Sequence, residues 1–316
     1  MTRPRSGAPR MVSVLTENWT MTDPRDIRGI VRMAQEAEDA GFDMVMVSDH
    51  VLLGPSAGSQ GRMDNPRDYA MPGNQDPFTA WPSNIVLLSA VAAATTRVRI
   101  GAIALIAPLR HPLVLAHDLA TLDLLSEGRL VIQPTVSWHK DEYDAIGVPW
   151  GRRGRILDEQ LRIWEQVWAR SPVSFEGEFF SFDDVYLEPK PTRPEGPAMW
   201  FGGDRVHGAI VDRLVRYGSG YHPLGKVTDE DVATLRIALA EAGRSMADLE
   251  LVGGTRVDFP GSDVVAPLPE ALEEIPRQQA LGFTTFVVKP SIFIDHREDH
   301  PAFCREVIDR VAALTS

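Results

Sequence analysis

The stretch MVMVSDHVLL, residues 44–53, sets four apolar side chains in a row, Met44 to Val47, and then breaks into Ser48, Asp49 and His50. A short apolar run without alternation fits a strand covered on both faces, as in a parallel sheet. Parallel α/β folds place their chemistry at the carboxyl ends of such strands. A carboxylate and an imidazole at that end make Asp49 and His50 the first candidates for a site. Successive residues of an extended chain point to opposite sides, so the two are expected to meet different partners. Position alone leaves equal room for a plainer reading, in which Asp49 caps a loop and His50 fills a polar corner.

The alternation continues outward from this strand. MVSVL (11–15) reads as the strand before it. Asp23 and Pro24 then give an N-cap and N1 signal, Ile27, Ile30, Val31 and Ala34 follow at helical spacing, and Gly41 stands where a helix ends. Further strands are expected at 97–106, 129–133, 198–203, 218–224, 249–254 and 284–289. Helical patterns run from Pro112 to about Leu125, then over 153–169, 206–217, 229–242, 268–281 and 300–313. Eight strand–helix units in 316 residues, with no linker and no internal repeat, fit a (β/α)8 TIM barrel. A doubly wound sheet would normally carry G-x-G-x-x-G after its first strand, and none is present. Residues 1–10 are expected to be a flexible tail and 11–316 one barrel domain. Two excursions stand out: a Gly/Pro/Asn/Asp-rich connection over 51–84, of the length usual for lids, and a hairpin-like segment over 171–197 around Gly177.

Composition narrows the function. A net charge of −12 argues against nucleic acid, which needs a concentrated basic face. No run of about 18 apolar residues suggests a membrane span. The lone Cys304 excludes an intramolecular disulfide and suits a reducing cytoplasm. The tail carries Arg3, Arg5 and Arg10 without the apolar core of a targeting signal.

Other strand ends offer weaker candidates. TVSWHKDEY (135–143) brings Ser137, Trp138 and His139, where Trp138 could wall an aromatic ligand and His139 is expected in solvent. WFGGDRVHG (200–208) puts Gly202 and Gly203 before a helix, with Arg205 near, a place where backbone N–H groups can receive an anion; a plain tight turn is an equal reading. The histidines make neither H-x-H nor H-E-x-x-H, so no metal centre is expected. No G-x-S-x-G elbow occurs, and Cys304 sits in the last helix, so nucleophilic catalysis has no visible carrier.

Several segments in order resemble the luciferase-like flavin- and F420-dependent oxidoreductase superfamily, most clearly over about 12–225. They are EAEDAGFDMVMVSDHV (36–51), DPFTAW (76–81), TTRVRIGAIALIAPLRHP (95–112), LATLDLLSEGRL (119–130), GVPWGRRGRILDE (147–159), PVSFEGEFFSFDDV (172–185) and MWFGG (199–203). The resemblance implies a TIM barrel binding FMN or the deazaflavin F420 at its mouth. The Asp49–His50 pair looks like that of the F420-dependent branch, with Asp49 contacting the deazaflavin and His50 handling the substrate proton. It places a non-prolyl cis peptide at Ile103–Ala104 against the ring. Ser137 and Trp138 then lie on the cofactor side, and Gly202, Gly203, Asp204, Arg205 and Val206 match the loop that receives the cofactor phosphate. Glu17 and Trp19, after the first strand, would shape the substrate side. The chain has 28 arginines to four lysines among 32 basic residues, the bias of a high-GC genome, the kind in which F420 is common.

One departure matters. Related chains run glycine-rich after GRL, whereas this one has VIQPTVSW, with Gln133, Pro134, Val136 and Ser137. Proline cannot donate to a ladder, so the strand is expected to end or bulge near Pro134. Trp138 replaces the glutamate that donates a proton in F420-dependent sugar-phosphate dehydrogenases, which argues against that substrate. The resemblance thus implies hydride transfer between F420 and a small organic substrate. Its alternatives are a reduced-FMN monooxygenase fed by a separate reductase, or a non-catalytic flavin-binding relative. A homodimer is the family's common state. The reading requires the wall at 103 and the cradle at 202–206 to share one opening.

Overall fold

Apolar runs punctuated by Gly, Pro and Asp give the computed structural model ten strands and nine α-helices among the residues it describes, which are 8–203, 206–223 and 228–314. The order is β1 (Arg10–Val14), α1 (Ile27–Ala40), β2 (Met44–Val47), α2 (Asn84–Ala94), β3 (Arg99–Ile106), α3 (Pro112–Leu125), β4 (Leu130–Thr135), α4 (Lys140–Ile146) and α5 (Arg153–Ala169). Then come β5 (Val173–Glu176), β6 (Ser181–Val185), β7 (Ala198–Phe201), α6 (Gly208–Tyr217), β8 (Gly220–Tyr221), α7 (Asp229–Glu241), β9 (Glu250–Gly254), α8 (Leu268–Ala280), β10 (Thr285–Val288) and α9 (His300–Leu314). Eight strands close a barrel in the order β1-β10-β9-β8-β7-β4-β3-β2, while β5 and β6 form a separate antiparallel pair. This is the (β/α)8 barrel expected from the alternation.

The chain divides into two compact units. The first comprises the described residues up to 46, 64–68 and those from 199 onward. In it β1 pairs in parallel with β2 and β10, β10 with β9, β9 with β8, and β8 with β7. Every residue of β2 and β10 is buried, as doubly covered strands require. The second unit comprises 47–63 and 69–198. Its frame is the parallel β3–β4 ladder, with α2, α3 and α5 alongside. Trp164 and Trp168, on α5, are fully buried, and their indole N–H groups donate to the carbonyls of Pro112 and Ala116 on α3 at 3.0 and 3.1 Å.

Arg129 ties this second frame together. Its Nε donates to Ser126 O, its Nη1 to Thr95 Oγ1 and Val98 O, and its Nη2 to Ala92 O and Thr95 O, all within 2.8–3.0 Å. One planar guanidinium thereby meets two carbonyls at the end of α2, those of Ala92 and the C-cap Thr95.

Some local expectations need correction. The first helix starts at Ile27, not beside Pro24; Asp26 is the N-cap and accepts from Gly29 N, while Asp23 accepts from Arg25 N in a turn. Gly41 does close α1, at φ 101°. Helices α2 and α4 add to the expected elements. β4 runs on past Pro134 to Thr135, and the bulge expected near Pro134 is there: the register shifts where Ile103 pairs with Gln133 and Leu105 with Pro134, the extra residue lying on β3. The excursion at 171–197 contains the hairpin β5–β6, its turn at 177–180, and Glu159 of α5 accepts from the N–H groups of Glu178, Phe179 and Phe180 at 2.8–2.9 Å.

Candidate functional site

In the second unit, His50 is the hub. Its Nδ1 lies 3.2 Å from Glu142 Oε2, and neither side chain is more than 7% exposed. The other carboxylate oxygen, Oε1, accepts from the backbone N–H of Val51 at 2.8 Å and of Leu52 at 3.3 Å. Ser137 Oγ donates to Oε2 at 3.3 Å and accepts from His139 N at 3.2 Å. Burial alone would raise the Glu142 pKa, but the hydrogen bond and charge of His50, with the Val51 and Leu52 N–H groups, outweigh it and hold the carboxyl below its usual value. Two indole rings flank the imidazole. Trp81 and Trp138 stand edge-on to the His50 ring, with centroids 4.8 and 5.4 Å away.

His139 overturns its expected solvent position: it is fully buried. Its Nε2 accepts from Gly54 N at 2.7 Å, which requires a neutral ring with the proton on Nδ1. Burial lowers its pKa foremost, and the nearby His50 lowers it further, against the opposing charges of Glu142 and Asp141. Asp141 Oδ2 receives Ser56 N at 2.9 Å. Glu142, His139 and Asp141, all around the start of α4, thus hold 51–56, the root of the long excursion.

Asp49 points elsewhere, as the alternation of an extended chain predicts. Its Oδ2 accepts from Ile106 N at 2.9 Å and Arg110 Nη1 at 2.7 Å, and its Oδ1 from Arg110 Nη2 at 2.9 Å. Both oxygens are therefore engaged in a bidentate pair at the end of β3. On β3 itself, Ile103–Ala104 is a non-prolyl cis peptide, and Ala104 is half-buried among buried neighbours.

In the first unit, Glu17 and Trp19 gather around Lys289, the residue after β10. Lys289 Nζ donates to Asp68 O at 2.7 Å, stands 4.0 Å from Glu17 Oε2 and lies 5.7 Å from the Trp19 ring centroid. Burial pushes the Lys289 pKa down to about 8, against the raising charges of Glu17 and Asp68. Residues 64–68 are pinned here as well: the Asn65 amide donates to Gly261 O, and Arg67 to Asp295 Oδ1 at 2.6 Å. Glu17 and Ser137 share one backbone feature, positive φ in a non-glycine residue, at 63° and 57°. Such outliers tend to mark functional turns.

The expected phosphate loop is described only in part, since Asp204 and Arg205 lie outside the described residues. A Cβ on Gly202 would stand 1.8 Å from His222 O, so close backbone approach alone demands glycine there. Val206 N donates to Asp231 Oδ1 at 3.3 Å.

Sequence reasoning missed Glu142, Trp81, Arg110 and Lys289. Lys289 alone carried a usable signal, a charged residue directly after an apolar barrel strand. Among the described residues no three His, Cys, Asp or Glu side chains gather closely enough to hold a metal, and no helix is long and apolar enough to cross a membrane. Burial raises the Cys304 thiol pKa to about 12, which leaves it a poor nucleophile.

Known proteins extend this picture. Over 218 residues the chain is 34% identical to an uncharacterized protein of Mycobacterium tuberculosis, covering 67% of this chain and 73% of that one. Over 238 residues it is 29% identical to the F420-dependent glucose-6-phosphate dehydrogenase of Nakamurella multipartita, covering 72% and 62%. Over 175 residues it is 29% identical to the FMNH(2)-dependent dimethylsulfone monooxygenase of Pseudomonas putida, covering 54% and 42%. The profile of the luciferase-like monooxygenase family matches residues 10–259, and the chain belongs to that family.

Proposed function

We propose that this protein is an F420-dependent oxidoreductase that passes hydride between the deazaflavin and a small organic substrate, with His50 as the proton carrier. The observation that carries the reading is His50 itself: a nearly buried imidazole beyond β2, held at one nitrogen by Glu142 and flanked by Trp81 and Trp138. An imidazole so placed can take or give a proton at its other nitrogen. The half-buried Ala104, with buried side chains before and after it, fits a flat ring lying against β3. Bound deazaflavin supplies hydride transfer and reacts poorly with oxygen.

The chain's own residues take these roles. Ile103, Ala104, Ser137 and Trp138 face the ring. Asp49, whose carboxylate is engaged by Arg110 and Ile106, acts as a positioning residue for the end of β3. Gly202, Gly203 and Val206 receive the phosphate, as do Asp204 and Arg205 by the family pattern. Glu17 and Trp19 shape the substrate side, and the 51–84 excursion excludes water. The broader match to the F420-dependent relative, 72% of this chain against 54% for the FMNH(2)-dependent one, supports F420 over FMN. Exposed Val86 on α2 and Val114 on α3 support a homodimer through barrel helices. The lone cysteine supports a cytoplasmic setting.

Titration of the purified protein with F420 and with FMN tests the cofactor. Tight F420 binding with no oxygen uptake is expected; uptake coupled to an NADH-driven flavin reductase identifies the monooxygenase instead. His50→Ala is expected to cut turnover by roughly 10²–10⁴-fold. Unchanged turnover would make His50 structural.

A further inference from the structure

A histidine that moves protons must present the right nitrogen, and the neighbours of His50 decide which one that is. Glu142 is fully buried and carries no proton when ionised, so both of its oxygens can only accept. Oε1 is committed to Val51 N and Leu52 N, which leaves Oε2 for His50 Nδ1 and Ser137 Oγ. The Nδ1 of His50 must therefore be the donor, and in the neutral ring Nε2 carries the lone pair. No hydrogen bond reaches Nε2 from the described residues. The same carboxylate thus sets the tautomer of His50 and fastens the first two residues of the excursion that follows it.

We propose that Glu142 is the positioning residue of His50: it locks the Nδ1–H tautomer, turns Nε2 toward the substrate as proton acceptor, and couples this state to the root of the 51–84 excursion. The proposal rests on the proton-carrier reading of His50. In the forward step the substrate proton passes to Nε2 and the ring becomes an imidazolium whose Nδ1–H still faces the Glu142 carboxylate, so the charge created is compensated where it forms. In reverse, Nε2–H returns the proton. The hydride leaves or enters by way of the deazaflavin, so Glu142 takes no part in the redox event.

The decisive variant is Glu142→Gln. Because Oε1 is held by two backbone N–H groups, the glutamine keeps its oxygen there and its NH2 replaces Oε2, opposite His50 Nδ1. A donor facing Nδ1 favours the opposite tautomer, with the proton on Nε2. Imidazole 15N NMR of the full chain, with the His50 signal assigned by its loss in His50→Gln, reads this directly and needs no cofactor. The expected result is Nδ1–H in the wild type and Nε2–H in Glu142→Gln. Turnover with F420 should fall by up to about 10⁴-fold, the scale of a wrong-tautomer histidine, with KM moving far less than kcat. Glu142→Ala is the second variant: it removes the lock without installing a donor, so a mixture of tautomers is expected. A wild-type His50 found as Nε2–H, or Nδ1–H retained in Glu142→Gln, overturns the proposal. If the tautomers behave as stated while His50→Ala keeps full turnover, the proton-carrier reading fails instead, and the two failures stay distinct.

Discussion

Replacing Asp49 by Asn separates a positioning carboxylate from a cofactor ligand. The Asp49 side chain is wholly buried and that of Arg110 is 21% exposed, and three hydrogen bonds end on the carboxylate. Asn offers one acceptor oxygen, and its NH2 group must then face either a guanidinium N–H or Ile106 N–H, donor against donor. Removing one partner of a buried pair costs about 3–5 kcal/mol, and the exposed flank of Arg110 lets it recover water, so the low end, about 3 kcal/mol, applies. Unfolding entropy of about 2.1 cal/mol/K per residue gives about 0.66 kcal/mol/K over 316 residues. The melting temperature should therefore fall by about 5 °C in Asp49→Asn.

Arg110→Met is the partner experiment, because it strands a buried carboxylate on one backbone N–H and should cost more, about 5 kcal/mol. The double variant should lose clearly less than the two losses added together, since each single change already breaks the same pair. Thermal scans of the four proteins without cofactor, followed by F420 titration of each, supply the numbers. Asp49→Asn melting at the wild-type temperature while losing F420 affinity would refute the reasoning and return Asp49 to direct contact with the ring.

Two further changes test other buried polar groups. Arg129→Lys replaces a five-donor fork by a point charge with three donors, leaves at least two of its five acceptors unmet, and is expected to cost about 2–4 kcal/mol in urea unfolding without touching the site. Lys289, with a folded pKa of about 8 against an ordinary 10.5, favours the unfolded state wherever it must be charged. Its contribution is present in full above pH 10.5 and is lost as pH falls through 8, a difference of about 3 kcal/mol. Lys289→Met should therefore lack the rise in stability between pH 8 and 10.5, measured as the wild-type minus variant difference at each pH; an unchanged difference would mean that Lys289 is solvated.

What the chain discloses on its own follows from the range of the interactions involved. Met44 to Val47 announce a strand because burial on both faces is a property of four neighbouring side chains. Gly41 announces a helix end because its positive φ is a local requirement. The start of the first helix is ambiguous in sequence because two residues compete for the cap: Asp23 and Asp26 both can serve, and Asp23 is used in a turn with Arg25 while Asp26 reaches Gly29. Helix α2, NIVLLSAVAAA, is silent in sequence for the opposite reason. Almost every residue in it is apolar, so no stripe of period 3.6 stands out.

The site was half legible because its two halves depend on different distances along the chain. Asp49 and His50 stand out by following an apolar strand. Glu142 sits among Lys140, Asp141 and Asp144, a run that by composition belongs on a solvated face, and Lys140 and Asp144 do form an exposed ion pair there. Only Glu142 turns inward, and the reason is a partner 92 residues earlier in the chain. His139 is drawn in likewise by Gly54, 85 residues away. A buried charged or polar residue is selected by the donors and acceptors that the fold brings to it, because without them desolvation would exclude it. Residue type can propose His50 as a proton carrier, but which of its nitrogens is available is decided by Glu142, and that choice becomes visible only when strand and helix are closed against each other.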